Sequence, residues 1–262
     1  MNKRGREINL VLSGGGVRGM AHIGLIKALK EQEFSISAIS GSSIGAIIGA
    51  LYGSGRTIDE MLTFFRTTPL FKYNFLSLTK PGLLDTERYY NLFMKGIPDD
   101  DFSMLNCKLY VVATNLEKGE ASVFGKGALI KPVLASAALP PYFSPVVIDE
   151  TLYADGGIMN NFPIEPFANS KLPLFGSNVS MVRDVSRNEL GSSLQLAQRT
   201  TGLMMYALNK EKLAHCDLLF QPYELENIGV LDKKHIDSAY EIGYNNAIKI
   251  LKNWDVKAYT SS

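Results

Sequence analysis

Residues Gly41-Ser42-Ser43-Ile44-Gly45 stand between a short apolar run, 36–39, and a long one, 44–51. That order reads as strand, tight turn and helix, with a serine at the turn. It is the layout of a nucleophile elbow, in which a strained turn lifts one hydroxyl above a sheet edge. Gly41 and Gly45 let the strand and helix backbones approach closely. The pattern names the Ser43 hydroxyl as a candidate nucleophile. A glycine-rich turn that merely packs a buried helix on a sheet fits the same five residues, so the reading turns on what else the chain carries.

A second strand-to-helix turn lies upstream. Ser13-Gly14-Gly15-Gly16-Val17-Arg18-Gly19 follows the apolar run 8–12 and precedes residues 20–31, where Ile23, Ile26, Ala28 and Leu29 make a helical apolar face. Three consecutive glycines free the backbone to aim its N–H groups into one small volume, a cradle for an anion. The anion is either a phosphate or the transient oxyanion of acyl transfer. Gly14, Gly16 and Gly19 satisfy the dinucleotide pattern G-x-G-x-x-G. That fold wants an acid at the end of the next strand, where this chain has Gly41-Ser42-Ser43; Glu33 falls in the turn before it. A phosphate-binding loop of the Gly-Lys-Ser/Thr kind is also missing, since Arg18-Gly19-Met20 stands in its place. An oxyanion hole explains the glycines and the serine together, because in a parallel sheet both turns fall at the same carboxyl edge.

A serine nucleophile needs a base, and the chain has only three histidines. His22 sits one turn into the first predicted helix and reads as a packing or hydrogen-bonding residue. His215 precedes an apolar strand and His235 opens the last helix; neither has a turn-rich setting. A carboxylate can serve instead of imidazole. Asp155-Gly156-Gly157 follows the short strand 151–154 and puts an aspartate on an exposed-backbone turn. An ordinary Asp-Gly turn, with the side chain bonded to its own backbone, fits the same residues.

The three motifs in this order, with residues 135–146 between the last two, resemble the patatin-like phospholipase family. Residues 135–146 are similar to the family's Ser-Ala-Pro-Phe-Pro segment, and the likeness runs from about residue 8 to 166. The resemblance implies a Ser–Asp dyad, with Ser43 as nucleophile and Asp155 as proton acceptor. It implies an oxyanion hole on the glycine loop, Gly14, Gly15 and Gly16, above all the amides of Gly15 and Gly16. Arg18 then helps hold the charged intermediate or a lipid phosphate, and Gly19, Gly41, Gly45, Gly156 and Gly157 complete the motifs. The activity implied is a serine acyl hydrolase of lipid esters, of phospholipase A or lysophospholipase type, using no cofactor and no metal. Rivals are an esterase or thioesterase for soluble acyl substrates and a lipid-binding regulatory protein. Family members commonly carry Thr and Ala on either side of the serine; here they are Ser42 and Ile44, and the bulkier Ile44 is expected to narrow the acyl entrance.

At 262 residues the chain is long enough for one sizeable core. No linker, repeat or low-complexity tract divides it, so one domain over 1–262 is expected, its core about 8–166 and its end closed by helices. Lys and Arg total 27 against 26 Asp and Glu, which gives no pull toward nucleic acid. The basic start of the chain runs directly into a strand without a signal-peptide pattern. Cys107 and Cys216 are isolated thiols without metal-ligand spacing. A cytoplasmic protein is expected, with transient contact at a membrane surface.

Alternating strands and helices imply an α/β fold, a three-layer α/β/α sandwich with a mostly parallel central sheet. The expected elements are helices at 57–66, 85–94, 130–139, 190–213 and 232–253, a hairpin of 108–114 with 121–124, and strands at 174–179 and 218–221. Met204, Met205 and Tyr206 read as core. The aromatic segment 69–78 reads either as a lipid-contacting flap or as core packing.

Overall fold

The computed structural model describes residues 6–68, 76–77 and 80–254. The segment 69–78 therefore lies, apart from Leu76 and Ser77, outside the described residues. The central strand is β1 (Glu7–Leu12). It pairs in parallel with β2 (Ser35–Ser42) on one side and β7 (Leu174–Ser177) on the other. Beyond β2 lies β3 (Lys108–Asn115), and beyond β7 lies β8 (Leu218–Phe220), both parallel. Three antiparallel strands finish one side: β4 (Glu120–Phe124) and β6 (Thr151–Asp155) pair with β3, and β5 (Val146–Ile148) pairs with β6. A strand covered on both faces reads as a continuous apolar run, and Ile8, Leu10, Val11 and Leu12 are all fully buried.

Alternate side chains of these strands serve two clusters. Leu10 and Leu12 enter the larger one, with α1 (Met20–Glu31), α2 (Ile44–Gly53), α3 (Ile58–Thr67), α5 (Ile130–Ser136) and α8 (Ile236–Leu251). Val11 and Ala38 point the other way, to Phe162 and Phe167. Helices and turns thus cover both faces of a mostly parallel sheet, as the alternation of elements predicts. α3 starts with a capping box, in which Thr57 and Glu60 each bond the other's backbone N–H. A short helix, α4 (Tyr90–Gly96), follows a turn capped by Asp85.

Several boundaries differ from the sequence pattern. α5 stops at Ser136, three residues before the predicted end, because Ser136 and Ala138 turn their carbonyls to the N–H groups of Gly156 and Asp155. The predicted 190–213 helix is α7 (Ser193–Asn209), preceded by a Ser192–Gln195 capping box and followed by a tighter turn over Lys210–His215. The buried stripe of α8 is Ile236, Ala239, Gly243, Ala247 and Leu251, with Tyr240 and Ile250 only half-buried. A four-residue helix, α6 (Gly157–Asn160), packs against β3 and α7.

Candidate active site

β1 ends at Leu12, and the glycine loop turns the chain into α1. The Ser13 N–H donates to Ser177 O at 3.0 Å and the Val17 N–H to Val230 O at 2.8 Å. The loop is thus pinned at both ends. Gly16 has φ +60°, and a Cβ there would drive into Val230 O, so neither the torsion nor the space admits a side chain. The Gly14 N–H donates to Asn161 O at 3.3 Å, whereas the Gly15 and Gly16 N–H groups have no partner among the described residues. Of the three loop glycines, Gly15 and Gly16 are therefore the two with donors left over. Arg18 borders the same space, but its Nε–H donates to Ile228 O at 2.6 Å and a terminal N–H to Glu226 O at 3.4 Å. It ties the loop to residues 226–228. Burial pulls the guanidinium below its usual pKa, with Glu226 opposing and Arg183 adding to the drop.

His22 is the packing histidine that the sequence pattern suggests. Its Nε2 lies 2.9 Å from Ser13 O, an acceptor only, so Nε2 carries the proton. Nδ1 then accepts from the Ser177 hydroxyl at 2.8 Å. Complete burial, partly offset by the Ser13 bond, lowers its pKa to about 4. The ring is a neutral strut under the glycine loop.

β2 delivers Ser43 on a strained turn. Its φ is +54° and its ψ −122°, a conformation seldom taken by a residue with a Cβ. Gly45 lets α2 lie directly over Leu12 O. The Ser43 N–H donates to the Ser136 hydroxyl at 2.9 Å, and the Ser43 hydroxyl donates to Asp155 Oδ2 at 2.6 Å. Ser42 turns its hydroxyl inward, where it is buried without a hydrogen-bond partner among the described residues.

β3 brings these two groups together. Ser42, on parallel β2, stands beside Val112, and Asp155, on antiparallel β6, stands beside Ala113. The two strands run toward each other along β3, and their carboxyl ends meet. Asp155 is 2% exposed. Its Oδ1 accepts the Gly157 N–H at 2.8 Å, and its carbonyl accepts the Thr114 hydroxyl at 2.8 Å. The Asp-Gly turn bond and the contact with Ser43 thus coexist, one on each carboxylate oxygen. Desolvation raises the Asp155 pKa to about 6 against the lowering effect of the Ser43 and Gly157 bonds. Such a group is ionised at neutral pH yet more basic than an ordinary carboxylate, as a general base requires.

Ser43 and Asp155 open on a cavity of about 260 Å³. Gly15 and Gly16 border it, and its walls are mainly apolar, with Ile47, Phe64, Phe93, Leu134 and Phe143 among them. Ile44 forms part of the wall. Met205, expected in the core, faces this cavity instead, because α7 lies beside it and not inside the sheet packing. His215 and His235 are absent from the lining. Among the described residues no three His, Cys, Asp or Glu side chains converge.

Three neighbours of Ser43 and Asp155 carry little signal in the sequence. Ser136 holds the elbow amide, and Asn161 accepts from Gly14 and lines the cavity. Met205 touches the Gly157 turn. Ser136 lies inside the recognised 135–146 segment, so a serine one turn before a helix end was the available clue; nothing local marks the other two.

Comparison with known proteins gives the chain's family and the likeness of its fold. The family model for patatin-like phospholipase matches residues 10–168. An uncharacterized NTE family protein of Mycobacterium tuberculosis is 33% identical over 209 residues, covering 76% of this chain and 57% of that protein. Lysophospholipase NTE1 of Mycosarcoma maydis is 26% identical over 288 residues, covering 97% of this chain and 15% of its own length. The chain thus spans little more than half of the mycobacterial relative and a small part of the fungal one. Among solved structures, VipD from Legionella pneumophila superposes with a TM-score of 0.62 at 15% identity, over 94% of this chain and 67% of that one. That likeness is one of fold. No helix among the described residues is long and apolar enough to cross a membrane.

Proposed function

The chain belongs to the patatin-like phospholipase family, and from that membership we propose that it is a serine acyl hydrolase of lipid esters, of phospholipase A or lysophospholipase type, working through a Ser43–Asp155 dyad. The observation that carries the reading is the 2.6 Å bond from the Ser43 hydroxyl to Asp155 Oδ2, made on a strained elbow at the edge of an apolar cavity.

In the proposed mechanism Asp155 takes the hydroxyl proton as Ser43 Oγ attacks the ester carbonyl. The carbonyl π bond opens, and its oxygen becomes the oxyanion of a tetrahedral intermediate. The Gly15 and Gly16 amides, which have no competing acceptor among the described residues, donate to it; each well-aimed donor is worth roughly 3 kcal/mol. The ester C–O bond then breaks, and Asp155 returns the proton to the departing alcohol. Acyl-Ser43 remains, and Asp155 activates a water to hydrolyse it. Arg18 supports the loop through its carbonyl bonds, which leaves the two amides as the main contacts of the oxyanion. The apolar walls suit an acyl chain, and the fungal relative's name, lysophospholipase, supports a lipid substrate.

A fluorophosphonate probe tests the reading. The expected result is a label on the Ser43 peptide, absent in Ser43→Ala and strongly slowed in Asp155→Asn. An unlabelled, correctly folded protein, or a label that survives Ser43→Ala, sinks it.

A further inference from the structure

α7 is an anomaly in a water-soluble fold. Over Ser193–Asn209 it carries one charged residue, Arg199, and no acidic one. Asn209 alone is buried among its described side chains, where its Oδ1 takes the Phe162 N–H and its Nδ2 bonds Met205 O. Asn209 ties the end of the helix to Phe162 and Met205 touches the Gly157 turn, while the Ser192 capping box closes the helix's own first turn. Its inner edge, through Gly202 and Met205, walls the cavity that holds Ser43 and Asp155.

At 100° per residue its exposed side forms one continuous arc. Leu196, Leu203, Met204 and Leu208 stand there with exposures of 51, 41, 68 and 54%, and Ser193, Ala197, Thr200 and Ala207 fill the positions between them. No charge falls within the arc. Two other large apolar side chains stand near the same opening. Val230, 38% exposed, lines the cavity. Leu83, 59% exposed, bonds the carbonyl of Pro141 next to the lining residue Tyr142.

We infer that the outer face of α7 is a lipid-docking surface, which seats the protein on a membrane with the mouth of the cavity toward the lipid. An apolar arc of this extent on a soluble protein marks an interaction site. Protein partners are anchored by aromatic and arginine side chains inside a polar rim, and this arc has neither aromatic nor charged residues. A fluid apolar medium asks only for aliphatic area, which an interfacial helix supplies. Continuity between the outer arc and the cavity wall gives a lipid a path that stays out of water. The purpose of the docking rests on the hydrolase reading above; the docking itself does not.

The test uses flotation with phosphatidylcholine vesicles and the full chain carrying Ser43→Ala, so that no hydrolysis alters the lipid. The expected result is co-flotation, reduced by about tenfold or more when Leu203→Glu and Leu208→Glu are added. In the otherwise native chain the same pair of substitutions leaves fluorophosphonate labelling and turnover of a short soluble ester unchanged, which shows the fold intact. Failure of the parent to float, or equal flotation of both forms, overturns the proposal. So does a parent that is dimeric by light scattering and becomes monomeric with the two glutamates, since a second copy then covers the helix. Flotation without labelling at Ser43 would leave the surface standing and remove the hydrolase reading.

Discussion

At the scale of single residues, the candidate chemistry comes down to two side chains held 2.6 Å apart. Serine at neutral pH is a poor nucleophile, and an ordinary carboxylate is a poor base. Burial of Asp155 narrows that gap by lifting its pKa to about 6. The rate follows the ionised form of the base, so kcat/KM on a soluble ester is expected to rise as pH increases through about 6 and to level above it. Asp155→Asn should lower the plateau by roughly a hundredfold to ten-thousandfold and abolish this limb. A profile that rises only near pH 4, or a limb kept in the variant, contradicts the assignment. The two motif positions were legible in the sequence because glycine and serine at a strand-to-helix turn have few uses. The partition of work among the loop glycines was not: that Gly14 gives its N–H to Asn161, and Arg18 its guanidinium to Ile228 and Glu226, depends on segments far away in the chain.

At the scale of elements, the glycine loop is the part with least freedom. Gly16 and Gly119 share nearly the same left-handed torsion, φ +60° and +69°. A Cβ at Gly119 meets nothing within 4 Å, whereas one at Gly16 meets the Val230 backbone. Gly119→Ala is therefore expected to cost about 1 kcal/mol in urea unfolding and to leave activity intact. Gly16→Ala pays the same torsional term, must also displace the 230 loop, and loses about a hundredfold or more in kcat/KM as the amide donors move. Equal effects from the two substitutions would show that the loop is not held as described. Periodicity predicted α1, and a continuous apolar run predicted α2, which is buried nearly all round. It erred where tertiary contacts override it. α5 ends early because its last carbonyls serve the Asp155 turn. Met205 resembles a core residue because an apolar cavity wall and an apolar core present the same sequence.

At the scale of the whole molecule, two fully buried titrating groups sit on opposite sides of the stability balance. His22, with its pKa lowered to about 4, resists protonation; the stability it confers is present above its unfolded value and lost as pH falls toward 4. Asp155, with its pKa raised to about 6, resists ionisation; its contribution is present below the usual carboxylate range and lost as pH rises through 6. Each term is on the order of 3 kcal/mol, and between about pH 4 and 6 they oppose each other. Asp155→Asn removes the second. Relative to the native chain, the variant should gain on the order of 3 kcal/mol in urea unfolding between about pH 4 and pH 7, while losing activity. A difference that does not change with pH would place Asp155 in water. The α/β layering was legible at this scale because strands buried on both faces are apolar throughout. Of the antiparallel edge, β4 and β6 were legible as the hairpin arm 121–124 and the short strand 151–154, whereas β5, only three residues long, left no pattern.

Ser43 and Asp155 lie 112 residues apart in the chain, yet their approach depends on how β2 and β6 register against β3. For β6 that register is three residue pairs long. A slip of one residue there would turn the Asp155 side chain to the other face of the sheet. The β3–β4 hairpin tip, where a Cβ at Gly119 would meet nothing within 4 Å, carries no such condition. Length in this chain is thus a free variable at the hairpin tip and a fixed one over a few strand residues. Insertions can accumulate in the first place, and even one is excluded from the second.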